Sequence, residues 1–260
     1  MRVLWIFAHP ESRSLSGALR DEGVRALADL GHQHRLSDLY AMKWKATVDA
    51  DDFTAHEPDG PLVVTRASQH AHRTGTLSAD IRAEQAKLDW ADTVVLQFPL
   101  WWAGMPAILK GWFDRVFVKG FAYGVTDPDR GHTLRYGEGR LAGKRALAVV
   151  TAGSPEAPLG PRGVNGQLDQ LLFPLLHGTL WYTGMSVLPP LVVHGADRVG
   201  AGEYDAAVSR LRSRLTSLEH DRPLPYRSQN GGDYDDDLVL RPEVAPAATG
   251  LAAHLACGAG

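Results

Sequence analysis

The sequence predicts an α/β fold, a doubly wound five-stranded parallel sheet with helices on both faces, followed by an irregular C-terminal extension. Three observations predict it. Short β-branched and aromatic runs alternate with longer amphipathic segments, the pattern of βαβ units on a sheet covered on both faces. Five strand runs can be placed before residue 194. The turns that leave three of them carry small, hydroxyl-bearing or aromatic residues, at the sheet end where such folds bind ligands.

In chain order, residues 2–8 read as the first strand, and Leu19, Val24, Leu27 and Leu30 continue as a helix that stops at Gly31. A weaker second strand spans 33–39. From Met42 to Leu77 there is no convincing periodicity, which predicts a long excursion over the surface. Ser78-Ala79-Asp80 caps the next helix, which runs to Trp90, and Thr93 to Phe98 is the third strand. A helix follows over 106–118. The segment 120–143 has six glycines and a proline and reads as a loop or hairpin before the fourth strand at 145–151. A helix over 168–180, the last strand over 187–193 and an amphipathic helix over 204–218 complete a domain of residues 1–220. Residues 221–260, with Pro223, Pro225, Pro242, Pro246 and the acidic run Asp235 to Asp237, read as an extension packed on a partner chain.

Composition excludes several classes of function. With 260 residues, 44% hydrophobic and 22% charged, and a net charge of −3, the chain has the balance of a globular protein with one core. No basic stripe marks a nucleic-acid partner, and no apolar run approaches the roughly 20 residues needed to cross a bilayer. The single cysteine, Cys257, can build neither a disulfide framework nor a thiolate metal site, so cytoplasm is the natural compartment. The histidine pairs His32 with His34 and His70 with His72 lack the further ligands a metal needs, and no metal is expected.

The strand exits carry the chemistry. After the first strand, the turn from His9 to Ala18 opens a helix whose free N–H groups suit a phosphate, although it also reads as an ordinary serine cap. After the third comes Pro99-Leu100-Trp101-Trp102-Ala103-Gly104-Met105-Pro106. Its adjacent rings cannot both face one core, so at least one is free for an aromatic pocket or a subunit contact. After the fourth, Thr151-Ala152-Gly153-Ser154 lets a flat ring approach the backbone, as a plain turn also would. Together these make a phosphate seat, an aromatic wall and a close-approach floor, which is what a flavin nucleotide needs.

The run Gln97-Phe98-Pro99-Leu100-Trp101-Trp102-Ala103-Gly104-Met105-Pro106, continuing to Phe117, resembles the signature of DT-diaphorase-type NAD(P)H:quinone oxidoreductases, a family with a flavodoxin-like fold. The resemblance extends to Ser37 to Met42, Leu77 to Gln85, Phe121-Ala122-Tyr123 and Leu188-Pro189-Pro190. It implies a homodimer with shared active sites and FAD rather than FMN at the interface. It also implies NADH or NADPH as co-substrate and a quinone or other small aromatic acceptor. By position it places His9, Ser14, Leu15, Ser16 and Ala18 on the ribityl chain and diphosphate. Pro99, Leu100, Trp101, Trp102 and Ala103 fall on the isoalloxazine, and Thr151, Ala152 and Gly153 on its pyrimidine edge. Tyr123 from the other subunit, with Val125, Trp181 and Tyr182, would line the substrate pocket, and Tyr204 falls near the adenine end.

The chain departs from the family where a tyrosine and a histidine stabilise charge on the reduced flavin. Leu159 and Asn165 stand there, and Asn165 donates a hydrogen bond but relays no proton. Val125 replaces a second aromatic wall, and the following loop is longer, with Asp127, Asp129, Arg130 and His132. Two alternatives stay open at this point: reduction of an azo, nitroaromatic or polycyclic biosynthetic acceptor, and an ancillary flavoprotein of a transporter or enzyme.

Overall fold

The computed structural model describes residues 1–54, 61–129 and 131–256, so Arg130 and Cys257 lie outside the described residues. Its sheet is parallel throughout, with strands β1 (Arg2–Phe7), β2 (Gln33–Asp38), β3 (Thr93–Pro99) and β4 (Arg145–Ala152) in the order β2-β1-β3-β4. Beside β4 lie β5 (Ser186–Val187) and β6 (Leu191–His194), two halves of the one strand expected at 187–193. The break is chemical. Pro189 and Pro190 have no N–H for the ladder, and the pairing register steps by one residue across them, from Ala146 with Val187 to Val149 with Leu191.

Helices cover both faces, as the crossover rule requires for parallel strands. Helices α1 (Leu15–Asp29) and α7 (Ala201–Thr216) close one side over Trp5, Phe7, Leu147 and Val149. Helices α2 (Val64–Thr74), α3 (Ala79–Trp90) and α4 (Ala107–Val116) close the other, over Leu4, Ile6, Leu96 and Phe98. Alternate residues of each central strand therefore serve opposite cores. Ser78 precedes α3 as expected, but its hydroxyl bonds the Asp80 carboxylate at 2.6 Å rather than the helix backbone. The helix expected at 168–180 is broken into α5 (Leu168–Leu171), α6 (Phe173–Leu175) and a π-helical turn, Leu176–Trp181, because Pro174 has no N–H to donate.

The segment expected to wander over the surface is, in its described parts, anchored in the core at several points. Between residues 42 and 77 lie a 3₁₀ turn, Ala50–Asp52, the helix α2, and the buried side chains of Trp44, Phe53 and Asp52. Asp52, 1% exposed, accepts hydrogen bonds from Nε and Nη2 of Arg115, 2% exposed, at 3.1 and 2.8 Å. Lys45 also reaches Asp52 at 3.1 Å, Asp80 closes on Arg115 at 2.7 Å, and the guanidinium lies 4.5 Å from the Trp44 ring. Burial opposes the charge on Arg115, yet Asp52 and Asp80 outweigh it and raise its pKa. Gly111 completes the joint, since a Cβ there would sit 2.0 Å from the carbonyl oxygen of Ala46.

The tail is irregular, as expected, and packs on its own chain. Tyr226 pairs with Leu255 in an antiparallel bridge, and a 3₁₀ turn, Gly250–His254, ends it. Tyr226 and His254 lie against His177 and Phe173, and Trp181 Nε1 donates to the Arg227 carbonyl at 3.2 Å. Burial, with some repulsion from His254, holds His177 down to about 4, and burial pushes the Tyr226 phenol up to about 12.

Two expectations follow from these contacts. Asp52→Asn removes one of two carboxylates from a buried guanidinium and is expected to cost about 3 kcal/mol, read by urea unfolding at pH 7. His177 titrates near 4 when covered and near 6.5 when the tail opens, so stability is full above pH 6.5 and falls as the pH drops toward 4. Between pH 7 and 5 tail docking should weaken by about 1–2 kcal/mol. Limited proteolysis of the tail at both pH values measures this, and His177→Phe should flatten the difference.

Candidate active site

The carboxyl ends of β1, β3 and β4 are joined by one hydrogen-bond relay. Trp5 Nε1 donates to Gln97 Oε1 at 2.9 Å, and Gln97 Nε2 donates to the Ser16 carbonyl at 2.7 Å. The Ser16 hydroxyl meets the Thr151 hydroxyl at 2.9 Å, and Leu100 N–H donates to the Thr151 carbonyl at 2.8 Å. Segment 14–18 and the 151–153 turn are thereby brought together.

Ser14 caps α1, taking the Gly17 N–H on its hydroxyl at 3.1 Å, while its own contacts run to His9 Nδ1 at 3.1 Å and the Glu11 carbonyl at 2.6 Å. No acceptor among the described residues takes the N–H of Leu15 or Ser16, the next two groups of the turn. Gly17 is required by close approach, because a Cβ there would lie 1.9 Å from the Ser12 carbonyl oxygen. Arg13 holds the Glu11 carboxyl down to about 2 through its side-chain hydrogen bond.

The tryptophan loop is a two-residue turn. Trp101 and Gly104 exchange backbone hydrogen bonds at 2.9 and 3.0 Å, and the two central residues, Trp102 and Ala103, have φ of 49° and 60°. That geometry costs a non-glycine residue about 1–2 kcal/mol. Trp102 is fully exposed, with no burial in return, whereas Trp101 is 42% exposed and lies 6.3 Å from the His9 ring. No acceptor among the described residues takes the N–H of Trp102 or Ala103. Pro99 ends β3 in the ladder with Thr151, and Ala152 is buried in the core while Gly153 is open to solvent.

Asn165 is exposed and donates to Ser154 at 3.1 Å, so it stands beside the 151–153 turn. Leu159 does not join it. Its side chain is 5% exposed and serves the main core, leaving the site no replacement for the missing aromatic hydroxyl. Tyr123 lines a separate cavity of about 330 Å³ with Ser68, Met105, Phe113 and Phe117, and burial raises its pKa. Val125 starts a small hairpin, pairing with Leu134 at 2.8 Å. Trp181 lies under the tail and Tyr182 edges onto Tyr136 at 5.1 Å, so within one chain neither stacks on the tryptophan loop. Tyr204 stands in the first turn of α7. Among the described residues no cluster of three potential ligands could hold a metal ion, and no helix is long and apolar enough to cross a membrane.

Gln97 and Gly17 are site residues that sequence reasoning did not single out. The signal for Gln97 was present: a lone amide in the strand Thr93–Pro99, every residue of which is buried. Gly17 gave none, because the carbonyl it makes room for is fixed only once the loop is folded.

A 2-1-3-4 sheet whose strand exits converge at one carboxyl edge, beside an open helix N-terminus, defines a nucleotide-binding protein of the flavodoxin class. A family model described as the flavodoxin-like fold matches residues 1–216. The ribosyldihydronicotinamide dehydrogenase-like protein traD of Penicillium crustosum is 48% identical over 235 residues, 90% of this chain and 87% of its own. NAD(P)H dehydrogenase (quinone) 1 of Rattus norvegicus is 37% identical over 94% of this chain and 87% of its own. A crystal structure of a candidate quinone reductase from Klebsiella pneumoniae is 53% identical and superposes with a TM-score of 0.95, over 98% of this chain and 100% of that one. The chain belongs to the flavodoxin-like family and, within it, to the DT-diaphorase-type quinone oxidoreductases.

Replacing Gln97 with leucine is expected to strand the buried Trp5 N–H and destabilise the protein by about 1–3 kcal/mol, measured by chemical denaturation. Ser16→Ala, which leaves only the Thr151 hydroxyl unpaired, should cost about 1 kcal/mol in the same assay.

Proposed function

We propose that this chain is a flavin-dependent NAD(P)H oxidoreductase that passes two electrons to a quinone-like aromatic acceptor. The observation that carries the reading is the 2.9 Å contact between Ser16 and Thr151, which sets a phosphate-ready helix end against a ring-ready turn, next to an exposed tryptophan. The residues present fit a flavin nucleotide. The open N–H groups of Leu15 and Ser16, with the Ser14 cap, suit its phosphate. His9, Leu15 and Ala18 would flank the chain between phosphate and ring, and Pro99, Leu100, Trp101, Trp102 and Ala103 would bracket the ring. FAD is preferred to FMN, and either NADH or NADPH serves as donor.

A bound flavin would supply the two-electron hydride chemistry that links a nicotinamide donor to the acceptor. The chain's own part is placement and electrostatics. The free N–H groups of Trp102 and Ala103 would point at one edge of the ring system, and Thr151, Ala152, Gly153 and Asn165 would meet the other. Asn165 supplies a donor for negative charge there but no proton, so protonation of the product falls to solvent or substrate. Trp102 offers a flat face against which donor and acceptor stack in turn.

We also propose a homodimer in which Tyr123 and Val125 of each chain, with Trp181 and Tyr182, wall the substrate site of the other. Within one chain, Tyr123 does not stack on the tryptophan loop, so the pocket needs a second copy. Residues 1–220 form the catalytic domain in this reading, residues 221–260 an extension of it, and the enzyme works in the cytoplasm.

The purified protein should be yellow, release FAD on heating, as identified by mass, and oxidise NADH or NADPH when menadione is added. Absence of any flavin, even after incubation with FAD or FMN, would exclude the reading. Asn165→Asp should lower kcat by about tenfold or more with cofactor content unchanged, because it sets a carboxylate where negative charge accumulates.

A further inference from the structure

The loop from Pro158 to Gly166 stands beside the turn that leaves β4 and is closed by its own backbone. Its ends meet, because Asn165 N–H donates to the Pro158 carbonyl at 3.0 Å. Two tighter turns lie inside it, Gly163 N–H on the Gly160 carbonyl at 3.0 Å and Gly166 N–H on that of Gly163 at 3.1 Å. Leu159, 5% exposed, anchors the loop in the core, and the Asn165 amide ties it to Ser154 at 3.1 Å. Gly163 is pressed onto the base of the loop, since a Cβ there would lie 2.0 Å from the Pro158 carbonyl oxygen and 2.6 Å from that of Ala157. Its two neighbours, Arg162 and Val164, are left at the surface.

Neither neighbour has a use within the chain. The Arg162 guanidinium has no ion pair and no hydrogen bond among the described residues. Val164 is 95% exposed, so it gains nothing from the core that Leu159 enters five residues earlier. The arginines near the helix end on the other side of the site are occupied: Arg13 by Glu11 at 3.0 Å, and Arg20 by Asp38 at 2.9 Å. Arg198, after β6, follows a carboxylate, Asp197, that lies against the backbone of Gly153. Arg162 thus brings an uncompensated positive charge to the rim of the site, with an apolar side chain two positions away.

The sizes of the two substrates decide which of them meets that rim. A quinone-like acceptor ends where it stacks, over the ring beside Trp102. A nicotinamide dinucleotide that places its own ring there is much longer, and its adenosine arm has to leave the slot across an edge. NADPH and NADH differ in that arm by one phosphate on the adenosine ribose, and a guanidinium meets such a phosphate with paired, charge-assisted N–H donors. Resting on the flavin reading above, we propose that Arg162 binds the 2′-phosphate of NADPH while Val164 supports the face of the adenine. The enzyme then accepts both donors and prefers NADPH.

Steady-state kinetics of the flavin-loaded protein with saturating menadione test the assignment. KM for NADPH should lie about tenfold or more below KM for NADH at similar kcat, as one charge-assisted contact implies. Arg162→Gln should raise KM for NADPH to the NADH value without moving kcat, and Arg162→Lys should recover part of the difference. Arg198→Gln removes a nearby charge outside the loop and should leave the preference intact. A second readout needs no turnover: in calorimetric titration, adenosine 2′,5′-bisphosphate should bind the flavin-loaded protein about tenfold more tightly than adenosine 5′-monophosphate, and Arg162→Gln should erase the gap. Equal KM for the two donors in the wild type overturns the inference. So does an Arg162→Gln variant that keeps the preference, or an Arg198→Gln variant that loses it to the same extent. A protein that oxidises neither donor brings down the redox reading itself, whereas one that oxidises both alike brings down this inference alone.

Discussion

The position of every loop at the candidate site depends on the buried side-chain amide of Gln97. It takes the Trp5 indole N–H from one strand and gives a hydrogen to the helix that leaves it, and that helix in turn touches Thr151 on the far side of the sheet. Both ends of an amide must be satisfied when it is buried, so the glutamine fixes distance and direction at once. An apolar residue could fill the same volume but could not set the register between helix α1 and the tryptophan loop. The open N–H groups of the helix and the exposed ring are functional only in that register.

The tryptophan turn is the complement of that rigidity. Trp102 and Ala103 hold left-handed backbone without the freedom of glycine, and Trp102 meets no protein surface in return. Such strain persists only where neighbouring structure over-determines it, here the Trp101–Gly104 bridge and the fixed end of β3. The energy comes from the packing of the two cores below the turn. The backbone that presents the ring is already set before any ligand arrives, so that part of the ordering cost is not incurred on binding.

Much of this was legible in the residues. The alternation of strand and helix, the double tryptophan after β3 and the small residues after β4 gave the fold class and the edge of the sheet that matters. The segment from 42 to 77 was not legible, because Asp52 and Trp44 are held by Arg115, a residue some sixty positions or more away whose partners no local pattern reveals. Leu159 was read as facing the ligand because it aligns there, but a leucine gains more from the core than from a polar site. Pro174 and Pro189-Pro190 were visible in the sequence, yet whether a proline bends, breaks or merely interrupts an element is decided by what packs around it. The tail was recognised as irregular, but its attachment to His177 and Trp181 rests on pairings across long separations.

The paired prolines at the outer strand have a consequence for how copies of the chain can meet. That strand borders the sheet, and its backbone would otherwise offer a row of free donors and acceptors to any passing strand. Two consecutive residues there have nothing to donate, and the arginines of helix α7 already occupy the carbonyls of Pro189 and Val192. Edge-to-edge growth into ribbons or fibres is therefore blocked along this flank. On this side of the sheet, contact between copies is left to helical and loop surfaces.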